Sequence, residues 1–470
     1  MISLVQNGNP YDGMLYGKGS ASGLLRADHG ERCPMKRFGL SIAVVAAVLA
    51  AACSSGSSGT GSTGQSGQVN LVMWMGFTPP PPASQGAEYE SLKGLVAKFT
   101  KLHPKIHIRM EYVNNDYALQ KVTVALQGGQ QPDISYQYGT NMPQVAQASQ
   151  VVNLTRIVKQ PQYGWSDFVP GERDVATVGG KVLGIPALVD NLAVVYNKTL
   201  FAQHHLAPPG PGWTWSQLAA DAKAIADPSK KIFGLTFPAD GSETTVWEYE
   251  AMLWEAGGHI LTADNSKAAF NSPAGVKALA LLRQMQQAHS LYLDFHPDAG
   301  NSETLFNSGK LGMIITGPWD LSSFPNVHYG VQIMPSWAPG GSHQTISGPD
   351  NWVIFNNSPA RVAAAEQFLL WLTAPAQVKY WAVQTGNLPS RQSVGDSAAV
   401  SQQMNAALPG VGTFIANLAN VKQARPQIPQ YPKISTILGT MVVSVLLGKS
   451  QPQAALTAAA QQVDQALAAG

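Results

Sequence analysis

A fourteen-residue segment, Phe306 to Trp319, constrains the fold more than any other part of the chain. Its apolar run from Leu311 to Ile315 is short and lies between Gly309 and Gly317-Pro318, which is typical of a strand buried on both faces. Such strands occur in sheets that helices cover on both sides. Trp319 follows the strand, and open α/β sheets bind ligands at the carboxyl ends of their strands. We therefore expect an α/β fold, with Trp319 either in a binding cleft or closing a core.

The region between residues 69 and 134 alternates strand and helix patterns. Residues 70–75 resemble a strand, and a helix with one apolar face follows and ends before Pro104. Residues 105–113 alternate apolar and polar side chains, as in a strand with one exposed face. A second helix over 117–126 leads to a third strand at 133–134. This order predicts a mostly parallel sheet.

The amino terminus resembles a bacterial lipoprotein signal. Residues 35–52 contain Lys36-Arg37 and then an uncharged, mostly apolar run that stops at Cys53. That run is too short for a membrane span, which needs about twenty residues. We expect cleavage before Cys53, a lipid on that cysteine and a flexible Ser/Gly linker over 53–68. Residues 1–34 precede a complete signal with its own Met and are expected to be a start-site artefact.

Charge and cysteine content exclude several classes of protein. The net charge of +2 comes from a surplus of two basic residues in the segment before Cys53, so the mature chain is near neutral. A nucleic-acid partner would need a basic surface. The other cysteine, Cys33, also precedes the mature chain, which leaves no disulfide. The remaining length exceeds what one hydrophobic core usually supports, which predicts two lobes.

Four motifs occur in a specific order. They are Gln131-Pro132-Asp133-Ile134, then Gly184-Ile185-Pro186 with Tyr196-Asn197-Lys198, then the Phe306 to Trp319 segment, and finally Thr385-Gly386-Asn387-Leu388-Pro389-Ser390-Arg391. Together they resemble the family 1 extracellular solute-binding proteins of ABC importers, of the maltose-binding-protein type. The resemblance covers nearly everything from about residue 69 to the end.

The resemblance implies a two-lobed α/β fold in which each lobe is a mostly parallel sheet flanked by helices. Crossover strands join the lobes, which close over a ligand by a hinge. Lobe 1 would hold 69–188 with 352–385, and lobe 2 would hold 189–350 with 390–470.

The same resemblance implies a function. The protein would be a monomer that is tethered to the extracytoplasmic face of the membrane through Cys53. It would capture a mono- or oligosaccharide and deliver it to ABC permease subunits, without catalysis, cofactor or metal.

A sugar site needs an aromatic platform for the C–H face of the ring and a few polar groups for its hydroxyls. By the family's Gly-Pro-Trp motif, Trp319 would be the platform. Trp247 could stack on the other side, or it could lie on the inward face of an ordinary helix over 243–255. The other candidates, at positions where relatives bind ligand, are Gln137, Thr140, Asn141, Asp190, Asn191, Asn351, Trp352, Arg425 and Tyr431.

Two pairs of these candidates are considered for different reasons. Asp190 and Asn191 interrupt an apolar sequence, where burial without a partner would be costly. Arg425 and Tyr431 belong to a Pro-rich loop that either caps the cleft or is plain surface.

Alternative functions remain open from the sequence. A glycerol phosphodiester would favour basic residues in the cleft, where the candidates are mostly neutral apart from Arg425 and Arg391. A hydrolase needs two carboxylates that flank the bond. Glu248 and Glu255 share a helix face, but two turns of one helix rarely flank a sugar, and charged helical residues are usually solvated. A structural lipoprotein or adhesin explains the anchor but not the four motifs.

Overall fold

The computed structural model describes residues 67–78 and 86–469. The predictions on the start site, the signal peptide and the lipid on Cys53 lie outside the described residues. Within those ranges, no helix is long and apolar enough to cross a membrane.

Strands and helices alternate along the first part of the described chain, and helices dominate the last part. The strands are β1 (Val69–Met75), β2 (Ile106–Tyr112), β3 (Ile134–Tyr138), β4 (Thr177–Val178), β5 (Lys181–Val182), β6 (Ile185–Leu188), β7 (Ala193–Asn197), β8 (Phe233–Pro238), β9 (Leu291–Asp294), β10 (Leu311–Thr316), β11 (Tyr329–Gln332) and β12 (Asp350–Ile354). The helices are α1 (Gly86–Leu102), α2 (Asn115–Gln127), α3 (Met142–Val145), α4 (Thr155–Val158), α5 (Pro170–Val175), α6 (Lys198–Gln203), α7 (Trp215–Ile225), α8 (Glu243–Glu255), α9 (Pro273–Gln287), α10 (Asn301–Asn307), α11 (Pro359–Leu372), α12 (Pro375–Thr385), α13 (Gln392–Gly395), α14 (Ala398–Ala407), α15 (Val411–Asn417), α16 (Tyr431–Leu446) and α17 (Pro452–Ala468).

The first sheet has the strand order β2-β1-β3-β12-β6. Strand β1 pairs in parallel with β2 and β3, whereas β12 runs antiparallel to β3 and β6. Helix α1 buries Leu92, Leu95 and Phe99 in the core beneath this sheet. We call this sheet and the helices packed on it lobe 1. The predicted parallel pairing of the first strands is confirmed.

The second sheet has the order β11-β7-β10-β8-β9 and defines lobe 2 with its helices. Strand β10 lies at its centre and all six of its residues are buried, as the apolar run predicted. The preceding turn uses Gly309 with φ of +73°, a conformation that costs glycine no side-chain clash. The large core of this lobe also includes α16 and α17.

Helix starts agree with the local sequence signals. Thr214 and Gln217 form a reciprocal capping box at the start of α7. The side chains of Ser272 and Ser358 cap α9 and α11, each just before a proline. These signals are local, which is why they could be read from the sequence.

The chain passes between the lobes at several points. Strand β6 of lobe 1 is followed after four residues by β7 of lobe 2, and β11 of lobe 2 is followed by β12 of lobe 1. Helix α12 contacts α1 of lobe 1 as well as α14. The α/β, two-lobed fold class is confirmed, while the exact lobe limits stay a prediction. The crossovers bring the ends of both sheets to one cleft.

Candidate ligand-binding cleft

A cavity of about 200 Å³ lies between the two lobes. Lobe 1 contributes Phe77, Tyr136 and Tyr138, and the crossovers contribute Asp190 and Asp350. The rest of the lining comes mainly from lobe 2. Because an engineered cavity of about 150 Å³ is large enough for benzene, this space suits a ligand of about one ring.

Trp247 and Trp319 form the aromatic part of the cleft. Trp319 lies in the turn Pro318–Ser323 after β10, and Trp247 lies on α8. Both are half-buried and line the cavity. Their rings stack on each other, with centroids 5.7 Å apart and planes at 19°. Rings in direct contact have centroids about 4.5–7 Å apart, so no sugar ring fits between them. Of the alternatives left open for Trp247, stacking on the opposite side of a sugar ring from Trp319 does not agree with this arrangement.

Arg425 lies at the cleft but is engaged with protein groups. Its Nη1 is 2.7 Å from Glu243 Oε1 at the start of α8. The Tyr431 hydroxyl lies 3.1 Å from Glu243 Oε1 and 3.0 Å from Glu250 Oε1 and can donate its one proton to either, and Ser435 donates to Glu243. Arg425 lines the cavity, whereas Tyr431 is buried behind it. Neither residue is plain surface. We call these five residues the Arg425 network.

Asp190 and Asp350 bring two crossovers together. Asp190 Oδ1 accepts a hydrogen bond of 2.8 Å from the Gly348 backbone N–H. A Cβ at Gly348 would lie 2.7 Å from that same oxygen, so the approach requires glycine. Asp350 accepts hydrogen bonds from Tyr136 at 2.5 Å and from the Gly139 N–H at 3.3 Å. Burial raises the pKa of Asp350 to about 7. Burial also raises the pKa of Asp190, and the nearby charge of Asp350 adds to that effect.

The cleft contains far more carboxyl groups than the sequence analysis expected. Those lining it are Glu88, Asp116, Asp190, Glu243, Glu248, Asp298, Glu303, Asp320 and Asp350. Among the described residues that line the cavity, Arg425 is the only basic one. The cleft is therefore lined by many carboxyl groups, of which the candidate positions chosen from the sequence included only Asp190.

Three of these carboxyl groups lie near one another in the part of the cleft formed by lobe 2, and we call Glu248, Glu303 and Asp320 the acidic triplet. Burial raises the pKa of Glu248 well above its usual range, with Asp294 and Glu303 contributing repulsion. Burial also raises the pKa of Glu303, and it brings the pKa of Asp320 to about 7. We expected Glu248 to be solvated, but only 7% of it is exposed. It adjoins Trp247 in sequence, and Asp320 adjoins Trp319, which is the signal that could have identified them.

Several predicted ligand-binding residues lie away from the cavity. Gln137 donates to Ser135 Oγ at 2.9 Å and accepts from Asn141 at 3.2 Å, so its amide is satisfied within lobe 1. Thr140 is buried in the adjacent turn. Successive side chains of a strand point to opposite faces of the sheet, which explains why Gln137 lies away from the cavity. Tyr136 and Tyr138 face the cleft, so the intervening Gln137 faces the other way.

The same alternation applies to β12. Asn351 pairs in register with Gln137 and lies outside the cavity lining, while its neighbour Asp350 lines the cavity. Trp352 packs in the lobe 1 core, with its ring centroid 5.2 Å from Tyr136 and 6.2 Å from Phe77. Trp352 is therefore a core residue in this structure.

The side chain of Asn191 forms hydrogen bonds within the protein. It donates to the Phe414 carbonyl at 2.9 Å and accepts from Asn417 at 2.8 Å. These bonds tie the first crossover to α15. Of the predicted pair, Asp190 reaches the cavity and Asn191 does not.

The two lobes touch across the cleft. Thr244 on α8 donates to Asp116 on α2 at 3.2 Å, and Asn114 donates to Asp298 at 3.2 Å. Tyr138 also donates to Asp116, at 3.1 Å. Burial raises the pKa of Asp116 to about 6. We call the Asp116–Thr244 and Asn114–Asp298 pairs the lobe contacts.

Known proteins share this sequence pattern and architecture. A binding protein of Brucella abortus is 27% identical over 398 residues, which cover 81% of this chain and 90% of that protein. The cyclic alpha-maltosyl-1,6-maltose binding protein of Arthrobacter globiformis superimposes with a TM-score of 0.68 at 27% identity, covering 86% of this chain and all of that one. A solute-binding protein of an ABC transporter from Thermotoga lettingae, bound with alpha-D-tagatose, gives a TM-score of 0.73 at 27% identity and covers 85% and 99% of the two chains.

The sequence profile described as bacterial extracellular solute-binding protein matches residues 83–379, more than half of the chain. That range includes the first crossover, the tryptophan pair and all three members of the acidic triplet. The resemblance drawn from the four motifs is confirmed, and the chain belongs to the bacterial extracellular solute-binding protein family.

Proposed function

We propose that this protein is the substrate-binding component of an ABC importer and that it binds a small carbohydrate between its lobes. The observation that carries the proposal is the cavity itself, in which a rigid aromatic platform lies beside many oxygen acceptors. The C–H face of a sugar ring packs on aromatic carbon, and its hydroxyls donate to carboxyl oxygens. The two structural relatives named above bind carbohydrates.

The ligand would be about the size of a monosaccharide, because the cavity measures about 200 Å³. The residues proposed to contact it are Trp247, Trp319, Asp190 and Arg425, all of which line the cavity. The other sequence candidates would support the cleft from behind.

Attachment to the membrane through Cys53, a monomeric state and docking on permease subunits complete the proposal. Conversion of Cys53 to alanine should abolish lipid modification. A variant that is still acylated and fractionates with the membrane as before would contradict the anchor.

A glycerol phosphodiester is less well supported than a sugar. A phosphate would meet the acidic cleft described above, and the one basic side chain in the cavity lining already pairs with Glu243. Moving an anion among so many carboxyl groups costs energy.

The decisive experiment is a thermal-shift screen of the purified protein against neutral sugars, amino sugars, polyols and glycerophosphodiesters. A ligand at a hundred times its dissociation constant adds about 2.7 kcal/mol to the free energy of unfolding, which such a screen detects. Stabilisation by at least one carbohydrate is expected. Stabilisation by glycerophosphodiesters alone would overturn the proposal.

A second measurement concerns catalysis. The bound sugar should be recovered chemically intact after long incubation, because a binding component releases what it captures. Stoichiometric formation of a hydrolysis product would assign the chain to the hydrolases.

A further inference from the structure

We propose that the end of the cleft formed by the acidic triplet and the tryptophan pair binds a protonated amino group, so that the ligand is an amino sugar. This inference rests on the function proposed above and names the chemical class of ligand. It is carried by three independent observations at the same end of the cavity.

The first observation is a buried carboxyl oxygen without a partner. Glu248 lines the cavity and is only 7% exposed. Its Oε2 accepts no hydrogen bond from any part of the chain that the structure describes. A buried, unpaired carboxyl oxygen is costly. A ligand that donates to it removes that cost.

The second observation is a pair of facing carboxyl groups. Glu303 and Asp320 both line the cavity, and Glu303 Oε2 and Asp320 Oδ1 accept no hydrogen bond from any described residue. Asp320 is 2% exposed, and its other oxygen accepts a hydrogen bond from Thr316 Oγ1 at 2.5 Å. An ammonium group that takes the place of one carboxyl proton keeps the net charge of the pair unchanged and supplies donors to its unpartnered oxygens.

The third observation is the aromatic platform. Trp319 and Asp320 are adjacent in one turn, and Trp247 and Glu248 are adjacent on α8. A cation beside a tryptophan face gains further attraction from the ring. The platform can therefore hold the sugar ring while the triplet holds a substituent on it.

An ammonium group fits this arrangement better than the alternatives. It carries three N–H donors, so it can donate to more than one of the unpartnered carboxyl oxygens of the triplet. A neutral hydroxyl can donate only once and would leave the other oxygens without a donor. No group of side chains suited to a metal ion occurs in residues 67–78 and 86–469, which disfavours an inorganic cation at this end.

Matched sugars test the inference on the purified full-length protein. The probes are glucosamine, N-acetylglucosamine and glucose, and likewise galactosamine, N-acetylgalactosamine and galactose. In at least one series the free amine should bind at least tenfold more tightly than the acetylated and the neutral sugar, as measured by isothermal titration calorimetry. Acetylation removes the positive charge while keeping the ring.

Proton release is a second readout. Burial raises the pKa of Asp320 to about 7, so an ammonium that binds beside ionised Asp320 should release a proton on binding near pH 6.5. Calorimetry in two buffers with different ionisation enthalpies counts the protons released. Tight binding of an amino sugar without proton release would contradict binding of the ammonium group at Asp320.

Conversion of Glu248 to glutamine keeps the shape of the side chain and removes its charge. It should weaken binding of the preferred amino sugar at least tenfold and leave the neutral parent sugar unchanged. Glu255→Gln is the matched control, because Glu255 lies on the same helix but does not line the cavity. If Glu248→Gln does not fold, Asp320→Asn provides the same comparison.

The possible failures are distinguishable. If neutral sugars bind as tightly as the amines, the amino-sugar inference is overturned and the carbohydrate function stands. If none of the six probes binds, the inference is also overturned, and the proposed function then depends on the wider thermal-shift screen.

Discussion

The Arg425 network and the acidic triplet are two groups of charged side chains that share helix α8, which carries Glu243 of the network and Glu248 of the triplet. In the network, Glu243 is paired with a guanidinium and with two hydroxyl groups. In the triplet, Glu248, Glu303 and Asp320 each have an oxygen without a partner among the described residues. Arg425 Nε and Glu250 Oε2 in the network also lack a partner there, so the contrast lies in the cation: the network contains Arg425, whereas no basic side chain of the cavity lining belongs to the triplet. Buried charge without an opposite charge costs stability that a ligand can return. The difference separates a structural role for the network from a binding role for the triplet.

Of the predicted effects on stability, the largest is expected when the positive charge of Arg425 is removed. Arg425→Met removes the cation from Glu243, whose side chain is 13% exposed and would keep only hydroxyl donors. Removing one partner of a buried ion pair costs about 3–5 kcal/mol in the free energy of unfolding. Glu248→Gln should instead leave stability unchanged or raise it. Urea unfolding of both variants, without ligand, measures the contrast. Adding Glu243→Gln to Arg425→Met should recover part of the loss. Equal effects of Arg425→Met and Glu248→Gln would remove the distinction between the two groups.

Replacing Trp319 in the cleft and Trp352 in the lobe 1 core should separate an effect on ligand binding from an effect on folding. Trp319→Ala should weaken binding of the preferred sugar by about 2–4 kcal/mol, as truncation of a buried aromatic anchor does. Because its ring also stacks on Trp247, we expect an additional stability loss of about 0.5–1.5 kcal/mol from that contact. Calorimetry gives the first quantity and denaturant melts the second.

Trp352→Ala is the control for that experiment. Trp352 is 3% exposed and belongs to the lobe 1 core, where truncation of a large aromatic costs about 3–5 kcal/mol. The affinity of folded Trp352→Ala protein for the ligand should change little. If Trp319→Ala lowers stability as much as Trp352→Ala and leaves ligand affinity unchanged, then Trp319 is also a core residue. The proposal that it forms a platform for the ligand would be wrong.

The sequence predicted the fold well because the informative signals were local. The buried strand β10, the turn at Gly309 and the capping box at Thr214 each depend on a few neighbouring residues. The order of strands and helices then predicted the parallel pairing of β1 with β2 and β3, but not the antiparallel strands β7 and β12. The family resemblance supplied the pairing of the two lobes, which no local pattern contains.

The site was predicted only in part because it depends on which face of each strand meets the cleft. Family positions directed attention to Gln137 and Asn351, whereas the period of two places their neighbours in the cavity lining. The acidic triplet was missed for a different reason. Charged residues on helices are usually exposed, and their burial here results from the approach of separate elements of lobe 2.

The carboxyl groups of the cleft should also make stability depend on pH. Burial raises the pKa of Glu88 to about 8 and that of Asp320 to about 7. A carboxyl group whose pKa is raised on folding favours the folded state fully below its unfolded pKa, near 4, and this advantage is lost as pH rises through the folded value. The melting temperature of the ligand-free protein should therefore fall between about pH 5 and pH 8.

A variant with both Glu88 and Asp320 replaced is the control for the measurements across pH. Glu88→Gln with Asp320→Asn removes both titrations and should flatten the curve over that range. An amino sugar at saturation should flatten it too, since its charge stabilises ionised carboxylates. If the melting temperature rises steadily across the same range, the carboxyl groups are ionised in the folded protein.

The smallest effect is expected at the lobe contacts. Thr244→Val removes the hydrogen bond to Asp116 without changing the size of the side chain greatly, and one such bond contributes about 0.5–1.5 kcal/mol. Because the bond joins α2 of lobe 1 to α8 of lobe 2, its loss should favour separation of the lobes more than unfolding. Small-angle X-ray scattering without ligand should then give a larger radius of gyration, and affinity for the preferred sugar should fall a few-fold through a faster dissociation rate. Thr262→Val is the control, because Thr262 bonds only within its own exposed turn. An unchanged radius with unchanged affinity would mean that this bond contributes nothing to closure.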